Sequence, residues 1–141
     1  MIKRDWLRNA LFVVNPTAGK LRLPFKQKVV RDVLQGTDIQ IAVATSETEA
    51  AELSGRAMSK GRRVVDCGGD GLQNIVAHQA VDTGGIMTVL PLGRGNDFAM
   101  SIGITKPEYV STALGSGRIL NTRYLLVTFR IHQRICLTCA G

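Results

Sequence analysis

VVDCGGDGLQNIVAHQ, residues Val64–Gln79, is the stretch on which the fold turns. Val64 to Cys67 reads as a short buried strand. Gly68-Gly69-Asp70-Gly71 follows at once, and then a helix running to about Gln79 that carries Ile75 and Val76. A glycine turn between strand and helix lets backbone N–H groups approach an anion with no side chain in the way. It also aims the partly positive helix N-terminus at that anion. The same layout recurs downstream: a strand over Ile86–Leu90, stopped by Pro91, then Gly93-Arg94-Gly95-Asn96-Asp97, then a short helix to Ile102.

Working outward, Ala10–Val14 is an apolar run ended by Asn15-Pro16, read as a buried strand. Phe25, Val29, Val30, Val33 and Leu34 recur near helical spacing, predicting a helix over Pro24–Leu34 that Gly36 ends. Ile39, Ile41 and Val43 alternate, giving a strand over 38–44. Ser46 to Glu49 fits an S-x-x-E capping box opening a helix to about Lys60, with Gly61 as its stop. A further helix is expected over Lys106–Gly115. Strand and helix alternate, and each strand reads as apolar throughout. The expected class is therefore α/β, a three-layer parallel sheet with helices on both faces. After Gly117 the character becomes β-rich, with Tyr124–Ile131 and Arg134–Cys139 forming a hairpin about His132-Gln133.

In such sheets ligands bind beyond the carboxyl ends of the strands. Three polar or glycine-rich loops fall there: Asn15–Lys20, Gly68–Gly71 and Gly93–Asp97. Asp70 and Asp97 each add a carboxylate, which beside a triphosphate binds Mg²⁺ or accepts the proton of an attacking hydroxyl. The plainer role of either is a helix N-cap; Asp70, however, is set among glycines that a simple cap does not need. Two other nucleotide motifs fail. Gly19-Lys20 has Val14 where a Walker loop needs its first glycine, and Leu21 where it needs Ser or Thr. Gly93-Arg94-Gly95 has Phe98 in place of the third glycine of a dinucleotide fingerprint, and Ala113–Gly115 offer no acid.

VVNPTAGK (Val13–Lys20), GGDGLQN (Gly68–Asn74) and LPLGRGNDFA (Leu90–Ala99) together resemble the three signature segments of the diacylglycerol kinase catalytic-domain family. That family takes in bacterial lipid kinases and sphingosine and ceramide kinases, and is distantly similar to NAD kinases. The resemblance runs over about residues 8 to 141. It implies a lipid kinase that uses ATP and Mg²⁺ to transfer the γ-phosphoryl group to a lipid hydroxyl, diacylglycerol or sphingoid-like. By that resemblance Asn15 and the Thr17-Ala18-Gly19 turn contact nucleotide, and Gly68, Gly69 and Gly71 cradle phosphates with Asn74 nearby. Asp70 is the catalytic base or Mg²⁺-linked acid. Gly93, Arg94, Gly95, Asn96 and Asp97 line the other side of the cleft. It also divides the chain into a nucleotide-binding domain, 1–117, and the opening of a β-rich second domain, 118–141, most of which lies beyond this chain and holds the lipid site.

The sequence departs from the family pattern at several positions. Leu72 replaces the usual threonine after GGDG, as in sphingosine kinases, and Ile75 replaces a glutamate. Arg94 stands for the small hydroxyl residue of GTGN, where it either binds phosphate bidentately or fills the pocket. No histidine matches the G-H-A of the second helix, and Leu120–Gly141 contains no acid. These departures keep a second reading open, a degenerate or truncated nucleotide-binding homologue without catalysis.

Composition narrows the remaining classes. A net charge of +7 over 141 residues suggests anionic partners. Aromatic residues are only 5% and are not interleaved with the basic ones, which are scattered, so nucleic acid is not expected. An anionic membrane touched peripherally and a second copy of the chain are carried as partner options. No stretch reaches the roughly 20 apolar residues of a membrane span, and Ala10–Val14 is too short for a signal-peptide core, so a cytoplasmic location is the expectation. Cys136 and Cys139 form a C-x-x-C, but on a strand residues three apart face opposite ways, and no second pair completes a zinc site. No protein metal site is expected. Trp6, His78 and His132 are read as packing or surface residues.

Overall fold

The computed structural model describes residues 9–17, 22–33, 40–92, 99–100, 102–104, 106, 123–128 and 133–138. Four strands, β1 (Ala10–Val14), β2 (Gln40–Val43), β3 (Arg63–Cys67) and β4 (Met87–Val89), form one sheet in the order β2-β1-β3-β4. All three pairings are parallel. Helices α1 (Leu23–Val33), α2 (Glu47–Ser59) and α3 (Asp70–Thr83) make the crossovers. This is the α/β class that the alternation of strand and helix implied.

The two-residue period of a strand splits the core in two. Ala10, Phe12 and Val14 of β1 pack with Val65 and Cys67 of β3 and with Val30 of α1. Leu11 and Val13 face the other way, joining Val64 of β3, Ala50, Ala57 and Met58 of α2, and Leu72 and Val76 of α3. β1 is buried along its whole length, as expected of an apolar strand covered on both faces. β2 is an edge strand among the described residues: Gln40 is exposed and Ile41, Ala42 and Val43 are half-buried, so the alternation read there does not sort into buried and exposed positions.

Helix α1 departs most from its sequence pattern. Phe25, one of the apolar residues read at helical spacing, is 55% exposed, whereas Lys26 is 0% exposed. Lys26 lies one turn before buried Val30, so a charged residue occupies the apolar stripe and the aromatic ring beside it is turned to solvent. Leu34 and Gly36 lie outside the described residues.

Helices α2 and α3 share one face of the sheet and approach closely. A side chain at Gly85 would meet Met58 of α2 at 2.7 Å, and one at Gly55 would collide with Gln79 of α3. Gly61 ends α2 at φ 75°, as its sequence suggested. α3 runs to Thr83, a turn beyond Gln79, because Gly84 supplies the left-handed cap at φ 68°.

Arg123–Thr128 (β5) and Gln133–Thr138 (β6) form an antiparallel pair. Gln133, expected in the turn, pairs instead with Thr128, so the connection is 129–132. Lys106–Gly115 falls outside the described residues except Lys106.

Candidate functional site at the carboxyl ends of β1 and β3

The order β2-β1-β3-β4 has a switch point. From β1 the chain crosses outward to β2 by way of α1. From β3 it crosses the opposite way to β4 by way of α3. The two helices pack on opposite faces. Chains leaving adjacent parallel strands in opposite directions open a crevice between them, where this class of sheet holds its ligand. Val14 and Cys67 are register partners at the strand ends, so Asn15 and Gly68 emerge side by side.

The turn after β1 is built on Asn15. Its Oδ1 accepts from the Thr17 N–H and from Thr17 Oγ1, both at 2.9 Å, a side-chain-closed turn of the kind asparagine favours. Its backbone carbonyl accepts from Lys26 Nζ at 2.7 Å. Burial lowers the Lys26 pKa from its usual value by desolvating the ammonium. Asn15 and Thr17 therefore form one turn at the mouth of the crevice. Gly19 lies outside the described residues.

The turn after β3 differs. Gly69, not Asp70, is the N-cap of α3, in extended conformation and with no side-chain cap hydrogen bond. Asp70 is the first helical residue, which removes the plain N-cap role weighed for it. The first turn closes through the Gln73 N–H to the Gly69 carbonyl at 3.1 Å. The N–H groups before it have no partner within the helix. Gly68 and Gly71 differ in what a side chain would meet. A Cβ on Gly68 would sit 2.8 Å from Leu72 Cδ2 and 3.4 Å from Asp66 Oδ1, so packing demands its absence. Among the described residues a Cβ on Gly71 would meet nothing within 4 Å, and Gly71 has no positive φ. Neither packing against those residues nor backbone strain explains it. Asn74 is half-buried one turn on from Asp70.

The two positions where the family pattern is broken on α3 serve the core. Leu72 is 5% exposed within the α2–α3 cluster, and Ile75 packs half-buried against the same cluster. Ile75 therefore belongs to the helix–helix contact.

Two buried charged residues were missed in the sequence. Lys26 is one; the signal was a charge four residues before Val30. Asp66, 2% exposed inside a strand read as apolar, is the other. Burial pushes the Cys67 thiol well up, and the adjacent Asp66 charge adds to this. A thiol held in that form is a poor nucleophile. Gly93, Arg94, Gly95, Asn96 and Asp97 lie outside the described residues, though Leu90 and Leu92 just before them are buried. No group of three or more His, Cys, Asp or Glu that could hold a metal occurs among the described residues. No helix among them is long and apolar enough to cross a membrane.

Residues 9–125 match the model of the diacylglycerol kinase catalytic domain. The chain belongs to that family. Over 83 residues it is 37% identical to a "Probable lipid kinase YegS-like" protein of Klebsiella pneumoniae (strain 342), covering 57% of this chain and 27% of that one. It is 39% identical to the protein of the same description from Pseudomonas savastanoi pv. phaseolicola over equal coverage. The chain thus spans about a quarter of the length of the curated relatives it matches. A crystal structure of a diacylglycerol kinase from Bacillus anthracis str. Sterne superposes with TM-score 0.63 at 20% identity, covering 73% of this chain and 41% of that one. A second structure from the same organism gives TM-score 0.65 at 18% identity, covering 73% and 39%. At those identities the likeness shows the shared fold.

Proposed function

We propose that the β1/β3 crevice binds the triphosphate of ATP and that the chain is the nucleotide-binding part of a lipid kinase. The observation that carries this is the N-terminus of α3. It lies at the switch point, has no side-chain cap hydrogen bond at Gly69, and carries Gly71, where a Cβ would meet nothing within 4 Å among the described residues. N–H groups with no partner inside the helix and the helix dipole both favour an anion there. Gly68, Gly69 and Gly71 line the phosphates, and Asn15, Thr17, Gly19 and Asn74 border the nucleotide. Gly93, Arg94, Gly95, Asn96 and Asp97 would close the cleft from the side of β4. On this reading residues 1–117 are the nucleotide-binding domain, and 118–141 open a β-rich domain that carries the lipid.

In the reaction the lipid hydroxyl oxygen bonds to the γ-phosphorus and the bond from that phosphorus to the bridging oxygen of ADP breaks. The hydroxyl proton passes to the Asp70 carboxylate. Mg²⁺ fits as a phosphate-held ion, because it is commonly bound by phosphate oxygens, water and one or two carboxylates and needs no all-protein cage. When bound it would neutralise charge on the phosphates, and Asp70 and Asp97 are the acids we propose to hold it.

The second reading, nucleotide binding without turnover, is favoured by one observation: Ile75 is committed to the α2–α3 core where a glutamate would stand. One experiment separates the two. MgATP is titrated calorimetrically into the chain, and phosphoryl transfer from labelled ATP to diacylglycerol in mixed micelles is followed, with wild type and Asp70→Ala. The kinase reading expects binding and transfer, with transfer abolished in a folded Asp70→Ala. Binding without transfer supports the second reading. Absence of binding overturns both.

A further inference from the structure

Lys26 is a costly residue to bury. Its side chain is 0% exposed, its ammonium lies 2.7 Å from the Asn15 carbonyl oxygen, and Phe25 beside it is left 55% exposed. A rotation of α1 by one residue would bury the ring and release the charge. An apolar side chain of lysine's length would fill the same space without desolvating an ammonium, but would leave the Asn15 carbonyl without this donor. Packing alone therefore does not account for an ammonium at this position.

We infer that Lys26 is a positioning residue: its ammonium pins the Asn15 carbonyl and so sets the Asn15–Thr17 turn at the place where nucleotide phosphates enter. The inference rests on the nucleotide reading above. Asn15 is gripped at both of its acceptors, the carbonyl by Lys26 and Oδ1 by Thr17. The carbonyl follows the last residue of β1, beside the start of the β3 glycine turn. Left bare, its partial negative charge would oppose an anion entering the crevice. Capped by a cation in a poorly solvated place, it becomes part of a positive environment, and such charge-assisted bonds are strong. Partial desolvation lowers the Lys26 pKa, in agreement with an ammonium drawn partly out of water.

The test uses the 141-residue chain with Lys26→Met, which keeps length without charge, and Lys26→Arg, which keeps charge. Three quantities are read: the melting temperature, the hydrogen-exchange rate of the Thr17 amide, and the affinities for MgATP and for adenosine. Lys26→Met is expected to exchange the Thr17 amide faster and to bind MgATP about tenfold or more weaker. Adenosine, which has no phosphate, should bind with unchanged affinity, and Lys26→Arg should recover part of the MgATP loss. Should Lys26→Met not fold, Lys26→Gln carries the same comparison. A folded neutral variant with unchanged Thr17 exchange and MgATP affinity overturns the inference. An equal loss for MgATP and adenosine also overturns it, showing a purely structural role. If wild type binds no MgATP while neutral variants still loosen Thr17, the nucleotide reading fails and the positioning role falls with it, leaving a structural pin.

Discussion

The N-termini of α2 and α3 are built on opposite plans. Both helices follow parallel strands and both lie on the same face of the sheet. At α2 the end is closed by its own residues. Ser46 Oγ accepts from the Glu49 N–H at 3.1 Å, and the Glu49 carboxylate accepts from both the Thr45 N–H and the Thr45 hydroxyl at 2.7 Å. Acids at 47 and 49 complement the helix dipole. At α3 the corresponding cap is Gly69, with no side chain to offer. The difference follows position in the sheet. α2 starts from an edge strand, where the chain must satisfy its own helix end. α3 starts at the switch point, where a ligand can do so.

The contrast can be broken by substitution. Leu72→Ala should have the largest effect, about 2–5 kcal/mol of stability in chemical denaturation, because Leu72 is buried and wedges the first turn of α3 against Gly68. A smaller loss would mean that the turn holds without that wedge. Gly71→Ala should weaken MgATP binding about tenfold or more, since its methyl group would enter the space assigned to phosphate. The free protein should be unchanged or more stable by up to about 1 kcal/mol, because alanine suits a helix better than glycine. Tighter binding with higher stability would show that the open space is not a ligand site. Ser46→Ala should cost about 1 kcal/mol in stability and leave MgATP affinity as it was.

The smallest effect concerns pH. Hydrogen bonds from the Thr45 backbone and then its hydroxyl hold the Glu49 pKa below its ordinary value of 4.5. A carboxyl with a depressed folded-state pKa stabilises above the unfolded pKa, and that contribution is lost as pH falls through the folded value. Exchange protection at the start of α2 should therefore decline in acid below that ordinary value. Glu49→Gln should flatten this decline, and an unchanged profile would remove Glu49 from the cap.

The sequence made some of this legible because the signals were local. β1 is a continuous apolar run and is buried throughout, and Gly61 stops α2 where a glycine after a periodic segment should. The S-x-x-E box placed the start of α2, although Glu49 reaches back to Thr45 and not to the N–H of Ser46. What escaped depended on tertiary contacts. Buried Lys26 makes a hydrogen bond spanning eleven residues, a contact that periodicity cannot see. Asp66 sits in a strand whose neighbours are apolar, so its burial was invisible to a pattern of strands. The difference between Gly68 and Gly71 emerged only when the space around each was known; in the sequence both were glycines of one turn.

The most direct measurement is a titration of the isotopically labelled chain with MgATP, following backbone amide shifts at both helix starts. If the open end of α3 is the phosphate site, the amides of Asp70, Gly71 and Leu72 move together and saturably, while those of Glu47, Thr48 and Glu49 stay still. Saturable shifts that leave residues 70–72 in place, or that fall equally on both helices, would contradict it.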